Sequence, residues 1–217
     1  MKTAILALAA AMPLMAGTPM YIETETVNPY SLEVAGTYNF AAREMFRYGN
    51  TKGPKVNTIG GDITGVYTVN DNSSFNLRFG FTTGSDSKSY DVEYYKLSAR
   101  VNNFYLMPGY RYTHAIGDYW SFFIGGNVGV INQSVKVRLG GGYIDGLVGK
   151  GHDSEYGFAY SGEAGLRYKL SKHFDVFAAY QFFGSTAEVG DTGHRDLSTS
   201  MKSQLYHCVR AGVSFDF

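Results

Sequence analysis

A single cysteine, Cys208, stands among 217 residues, so no disulfide can close within the chain and no four-cysteine zinc site can be built. Net charge is equally lacking, because 19 Lys and Arg balance 19 Asp and Glu. Nucleic-acid binders draw their affinity from cations clustered over phosphates, so no nucleic-acid partner is expected. Beyond residue 20 no uncharged apolar run reaches the ~20 residues that a helix needs to cross a bilayer. A hydrophobic share of 44% argues against a disordered chain. What the sequence holds in abundance is 27 Gly, 18 Tyr and 15 Phe, with an aromatic content that favours strands over helices.

The N-terminus has its own pattern. Met1-Lys2-Thr3 supplies one positive charge, Ala4 to Leu14 is apolar apart from Pro13, and Ala16 and Gly17 are small. This predicts a secretory signal peptide over residues 1–17, cleaved near Ala16 to Thr18, with export of the remainder, 18–217. An uncleaved amphipathic helix is the weaker alternative. No cysteine lies near the cleavage region, so no lipid anchor is indicated.

Alternation with period two runs through the rest of the chain. In Leu205 to Phe217 the odd positions are Leu205, His207, Val209, Ala211, Val213, Phe215 and Phe217, and the even ones carry Arg210 and Asp216. Phe174 to Phe183, Phe158 to Tyr168, Trp120 to Val130, Phe104 to Tyr112, Phe75 to Phe81 and Leu32 to Phe40 divide in the same way. The segment Ile59 to Val69 is the faintest, with Gly and Thr on both faces. Around Asn102-Asn103 the phase reads as shifted by one, as a β-bulge would do.

The connections fall into two classes. Asn70 to Ser74, His114 to Asp118 and Ser171 to His173 read as short turns. Phe46 to Lys55, Gly84 to Tyr94, Leu139 to Glu155 and Ser185 to Ser203 read as long polar loops. This predicts an all-β fold, an eight-stranded antiparallel up-and-down transmembrane β-barrel with three short periplasmic turns and four long extracellular loops.

Two hairpins repeat one pattern: Gly109-Tyr110-Arg111-Tyr112, a turn and Trp120-Ser121-Phe122 are echoed by Gly165-Leu166-Arg167-Tyr168, a turn and Phe174-Asp175-Val176. With the leader-like N-terminus and the final strand Val209 to Phe217, these make the chain similar to the small eight-stranded bacterial outer-membrane β-barrels: OmpA-like transmembrane domains, opacity-type and OmpX-like surface proteins. The resemblance implies that Val213, Phe215 and Phe217 form the signal read by the barrel-assembly machinery. It also implies a monomer without cofactor among outer-membrane lipid and lipopolysaccharide, with a structural role in the envelope and adhesion-like contact of the loops with a host or extracellular ligand. No peptidoglycan-binding domain is expected after the barrel.

The rows opposite the apolar ones carry charge: Glu33, Asp62, Glu163, Asp175 and Asp216 against Arg78, Arg100, Arg111, Arg167, Lys169 and Arg210. An arginine at the lipid midplane costs about 2–4 kcal/mol, so these residues are predicted to line the lumen. Within them Glu33, Arg78, Arg111, Glu163, Arg167, Asp175 and Arg210 are the candidate polar network. An eight-stranded barrel is just wide enough for side chains to fill it, which favours a salt-bridged plug over the other reading of these residues, a narrow ion or small-solute path.

Other polar groups are weaker candidates. His152-Asp153-Ser154-Glu155 has hydrolase residue types without hydrolase spacing, and a solvated loop explains it better. Asp191, His194 and Asp196 read as ordinary loop polarity before they read as metal ligands. His207 interrupts an outer row where a lipid-modifying enzyme would place a histidine, but residues 207 to 209 are His-Cys-Val, so an interfacial histidine is expected. Cys208 faces inward as a small packing residue. No catalytic, cofactor or metal residue is assigned.

Overall fold

The computed structural model describes residues 29–42, 47–48, 51–52, 55–90, 95–140, 150–187 and 204–217. They form ten strands: β1 (Tyr30–Ala41), β2 (Arg47–Tyr48), β3 (Thr51–Lys52), β4 (Thr58–Asn70), β5 (Ser73–Tyr90), β6 (Tyr95–Ala115), β7 (Trp120–Gly140), β8 (Lys150–Lys169), β9 (Phe174–Ser185) and β10 (Gln204–Asp216). Strands β2 and β3 pair only with each other. The remaining eight close into a barrel in the order β1-β10-β9-β8-β7-β6-β5-β4, and each is antiparallel to its neighbours. Over the closed part of the wall no strand edge is unpaired, which a bilayer without water to satisfy backbone groups requires.

Alternating side chains sort to the two faces. In β1, Glu33, Ala35, Thr37 and Asn39 are buried while Val34, Tyr38 and Phe40 are exposed. The faint strand β4 obeys the same rule, with Ile59, Ile63, Tyr67 and Val69 outside and Asp62, Thr64 and Val66 inside. Around the wall an apolar band follows, including Leu77, Phe79, Leu106, Ile124, Val128, Leu166 and Val209. Such a surface is stable against hydrocarbon, not against water. Aromatic rings flank it, with Tyr30, Phe75, Tyr112 and Trp120 towards the tight turns and Tyr38, Phe40, Phe104, Tyr160 and Tyr180 towards the other end.

The tight turns lie between β4 and β5, β6 and β7, and β8 and β9. In the second, Gly117 adopts φ 90°, a conformation that a side chain would strain. Strand lengths then separate two halves of the wall. β1, β4, β9 and β10 have 12 or 13 residues, while β5, β6, β7 and β8 have 18, 21, 21 and 20. About 9–11 tilted residues cross a membrane, so four strands continue past it as a palisade at the end opposite the tight turns. On its inner side Ala99, Val101 and Val135 form one apolar cluster with Val56, which precedes β4.

The palisade corrects three readings. Much of Gly84 to Tyr94 and Leu139 to Glu155 is strand, β5 continuing to Tyr90, β6 starting at Tyr95, β7 ending at Gly140 and β8 starting at Lys150. No bulge interrupts β6 near Asn102-Asn103, because its register with β5 runs unbroken from Tyr90↔Tyr95 to Ser73↔Tyr112. Arg100 is consequently exposed and on the same face as Phe104, not in the lumen. Beyond the hydrocarbon band an outward arginine meets water, so the rule that drives charges inward no longer applies.

Candidate functional site, the charged barrel interior

Six strands deliver charged side chains to one level of the interior, because each carries them on its inward row. Glu33 comes from β1, Asp62 from β4, Arg78 from β5, Arg111 from β6, Glu163 from β8 and Arg210 from β10. All are buried, with Glu33, Arg78 and Arg210 at 0% exposure. Arg111 holds Glu33 through two contacts, Nη1 to Oε1 at 2.5 Å and Nη2 to Oε2 at 3.1 Å, and reaches Glu163 Oε1 with Nη2 at 2.9 Å. Arg78 Nη2 donates to Glu163 Oε2 at 2.6 Å. Arg210 grips Asp62 through Nη2 at 2.6 Å and Nε at 3.0 Å, with a further bond from Nη2 to Thr64 Oγ1 at 3.1 Å. Weaker contacts close the cluster: Arg210 to Glu33 at 3.4 Å and to Glu163 at 3.8 Å, and Arg78 to Asp62 at 3.9 Å.

Arg167 and Asp175 sit at the edge nearer the tight turns. Arg167 bonds Glu33 and lies 3.7 Å from Asp175. Charges buried this deeply persist only when paired and hydrogen-bonded, and the contacts of Arg78, Arg111 and Arg210 with Glu33, Asp62 and Glu163 supply that pairing. Two guanidinium groups also lie on aromatic faces, Arg111 over Phe123 and Arg210 over Phe177, each 4.7 Å from the ring centroid. Gly165 makes room for Phe123, since a Cβ there would fall 2.5 Å from its Cζ.

Composition alone did not reveal the layer beyond the charges. Towards the palisade, Tyr105, Met107, Ile131, Phe183, Tyr206 and Cys208 form one buried apolar cluster. Tyr105 and Phe183 have ring centroids 5.4 Å apart, and Phe183 and Tyr206 6.3 Å. The signal was available, because an outer row at Phe104, Leu106 and Pro108 forces Tyr105 and Met107 inward. Asp62, placed in the inward row but outside the seven-residue network, is the main acceptor for Arg210.

His207 is outside, where Tyr180 Oη meets its Nδ1 and Phe182 stacks edge-on at 6.0 Å. It belongs to the aromatic ring of that end. Val213, Phe215 and Phe217 occupy the final outward row, with Phe215 5.1 Å from the Phe174 ring centroid. Residues 152–155 lie on β8 rather than on a loop, and the side chains of His152 and Asp153 are outside the described set. Asp191, His194, Asp196 and the leader-like residues 1–17 also lie outside the described residues. Among those described, no group of three metal-binding side chains occurs.

A closed antiparallel barrel with apolar side chains outside and paired charges within is the architecture of an integral membrane barrel. The chain belongs to the outer membrane protein beta-barrel domain family, whose pattern matches residues 3–215, and its location is the bacterial outer membrane. No curated protein matches it. The outer membrane protein OprG of Pseudomonas aeruginosa is similar in structure, with TM-score 0.52 and 13% identity over 91% of this chain and 99% of that one. Neisserial surface protein A has TM-score 0.47 and 12% identity over 89% and 100%. The attachment invasion locus protein of Yersinia pestis has TM-score 0.47 and 14% identity over 88% and 99%. At these identities the likeness is one of fold.

Proposed function

We propose that the protein is a plugged, non-catalytic outer-membrane barrel that contributes to envelope integrity and makes adhesion-like surface contacts from its palisade and long connections. The carrying observation is a pair of buried side-chain layers across the interior. An ionic layer of Glu33, Asp62, Arg78, Arg111, Glu163 and Arg210 is followed by an apolar layer of Tyr105, Met107, Ile131, Phe183 and Tyr206. In this reading a leader at residues 1–17 directs export, the tight turns face the periplasm and the palisade stands outside the cell. Val213, Phe215 and Phe217 serve as the assembly signal, and the barrel works as a monomer.

One observation favours the alternative of a narrow channel. Asn76, Arg78, Asn127, Gln133 and Ser161 each bury at least one polar side-chain atom without a protein partner, which suits water in the interior. Single-channel recording on the full-length folded protein in a planar bilayer decides between them, with insertion verified separately by protease protection. A silent membrane is expected. Discrete conductance steps would replace the plug with the channel.

A further inference from the structure

Three successive inward pairs cross β6 and β7 where the palisade rises from the barrel. Val101 stands opposite Val135, Asn103 opposite Gln133 and Tyr105 opposite Ile131. All six side chains are buried. The first and third pairs belong to the two apolar clusters, so the middle pair is a step of neutral amides held between apolar steps. Its row continues to Thr82 on β5 and Glu155 on β8.

These amides are incompletely used. Asn103 Nδ2 donates to Thr82 Oγ1 at 3.2 Å, which orients the side chain, while Asn103 Oδ1 has no partner. Gln133 is 1% exposed, and neither its Oε1 nor its Nε2 has a partner. Two other buried amides at this end are engaged: Asn39 Nδ2 donates to Thr58 Oγ1 at 2.8 Å, and Gln204 Oε1 accepts from Tyr206 Oη. A buried amide unmatched at both ends costs free energy, which a ligand carrying the complementary groups recovers.

The unmatched atoms define that complement. Two carbonyl oxygens, Gln133 Oε1 and Asn103 Oδ1, call for two donors, and Gln133 Nε2 calls for an acceptor. A primary carboxamide carries both donors on its nitrogen and the acceptor on its oxygen. The apolar steps on either side favour an uncharged ligand with an apolar or aromatic body, and a polyhydroxyl compound would press hydroxyls against them. Access runs along β8, whose ladder with β9 begins at Ala159. Among the described residues no strand therefore pairs with that edge at Glu155, which is half-buried. We propose that Asn103 and Gln133 bind the carboxamide of a small neutral molecule, its apolar body lying against Val101 and Val135. The site is on the palisade side of Tyr105 and Ile131, so binding requires no conduction through the barrel.

The test uses the full-length, isotope-labelled protein folded in detergent micelles. Benzamide is titrated in while the side-chain amide signals of Asn103 and Gln133 are followed by NMR, the Gln133 signal being the one that Gln133→Leu removes. Saturable movement of both signals is expected in the millimolar range or below. Acetophenone keeps the ring and the carbonyl but lacks the amide donors, and it is expected to bind the unaltered protein at least about tenfold more weakly. Benzamide is expected to bind Gln133→Leu at least about tenfold more weakly too, read from the Asn103 signal. Signals that do not saturate would mean that water alone serves the amides, and this overturns the site. Equal affinity for benzamide and acetophenone overturns it as well, as does equal affinity of the two proteins for benzamide. A further readout needs no ligand. Because Leu replaces an unmatched amide with an apolar group of similar size, Gln133→Leu is expected to raise the urea midpoint of the barrel. A lowered midpoint would show that Gln133 is already partnered, and the site would fall with it.

Discussion

Glu33 is the residue on which the ionic layer depends, because Arg111, Arg167 and Arg210 all contact its carboxylate. Removing that charge leaves buried cations short of an acceptor, and breaking a buried pair costs about 3–5 kcal/mol. Glu33→Gln is therefore expected to lower the urea midpoint of the vesicle-reconstituted barrel by an amount equivalent to that loss. Asp175→Asn provides the contrast, since its partner Arg167 is 3.7 Å away and has a side chain 17% exposed. Its cost is expected to stay below about 1 kcal/mol in the same titration. Sequence made the charged members legible because lipid forbids them outside. It did not make the pairing legible, because Asp62 reaches Arg210 across the closure formed by β1, between strands 148 residues apart in the chain.

Elements were legible wherever lipid reads the outer row. Seven of the eight barrel strands show a clear apolar alternation, and even faint β4 keeps Ile59, Ile63 and Tyr67 in phase. Their extent was not legible, because beyond the hydrocarbon the outer row turns to Ser, Asn, Lys and Arg while the strands continue. A polar, Gly- and Ser-containing strand in water has the composition of a loop. For the same reason the lipid rule puts Arg100 on the wrong face. The boundary can be measured on one strand: Val128 and Ser134 both point outward from β7, separated by six residues. Val128→Arg is expected to cost about 2–4 kcal/mol of folding free energy in lipid, and Ser134→Arg close to none. Equal costs in a vesicle refolding titration would move the membrane edge and with it the palisade.

At the scale of the whole molecule, two side-chain layers of different chemistry lie in series. Opposed charges can be rearranged by a field or by titration and so can in principle admit an ion. The apolar layer of Tyr105, Met107, Ile131, Phe183 and Tyr206 offers a passing ion little compensation for lost water. Breaking either layer alone should leave the barrel non-conducting. Arg111→Ala with Glu163→Ala removes one opposed pair from the ionic layer and keeps its charge balance, and it is expected to remain silent in planar bilayers. Tyr105→Ala with Tyr206→Ala widens the apolar layer but leaves the charges interlocked, with the same expected silence. The four substitutions together should give discrete steps, provided that the quadruple variant still inserts, as judged by protease protection. Conductance from the ionic double variant alone would show that the aromatic layer admits water, and the closure of the lumen would then rest on the salt bridges.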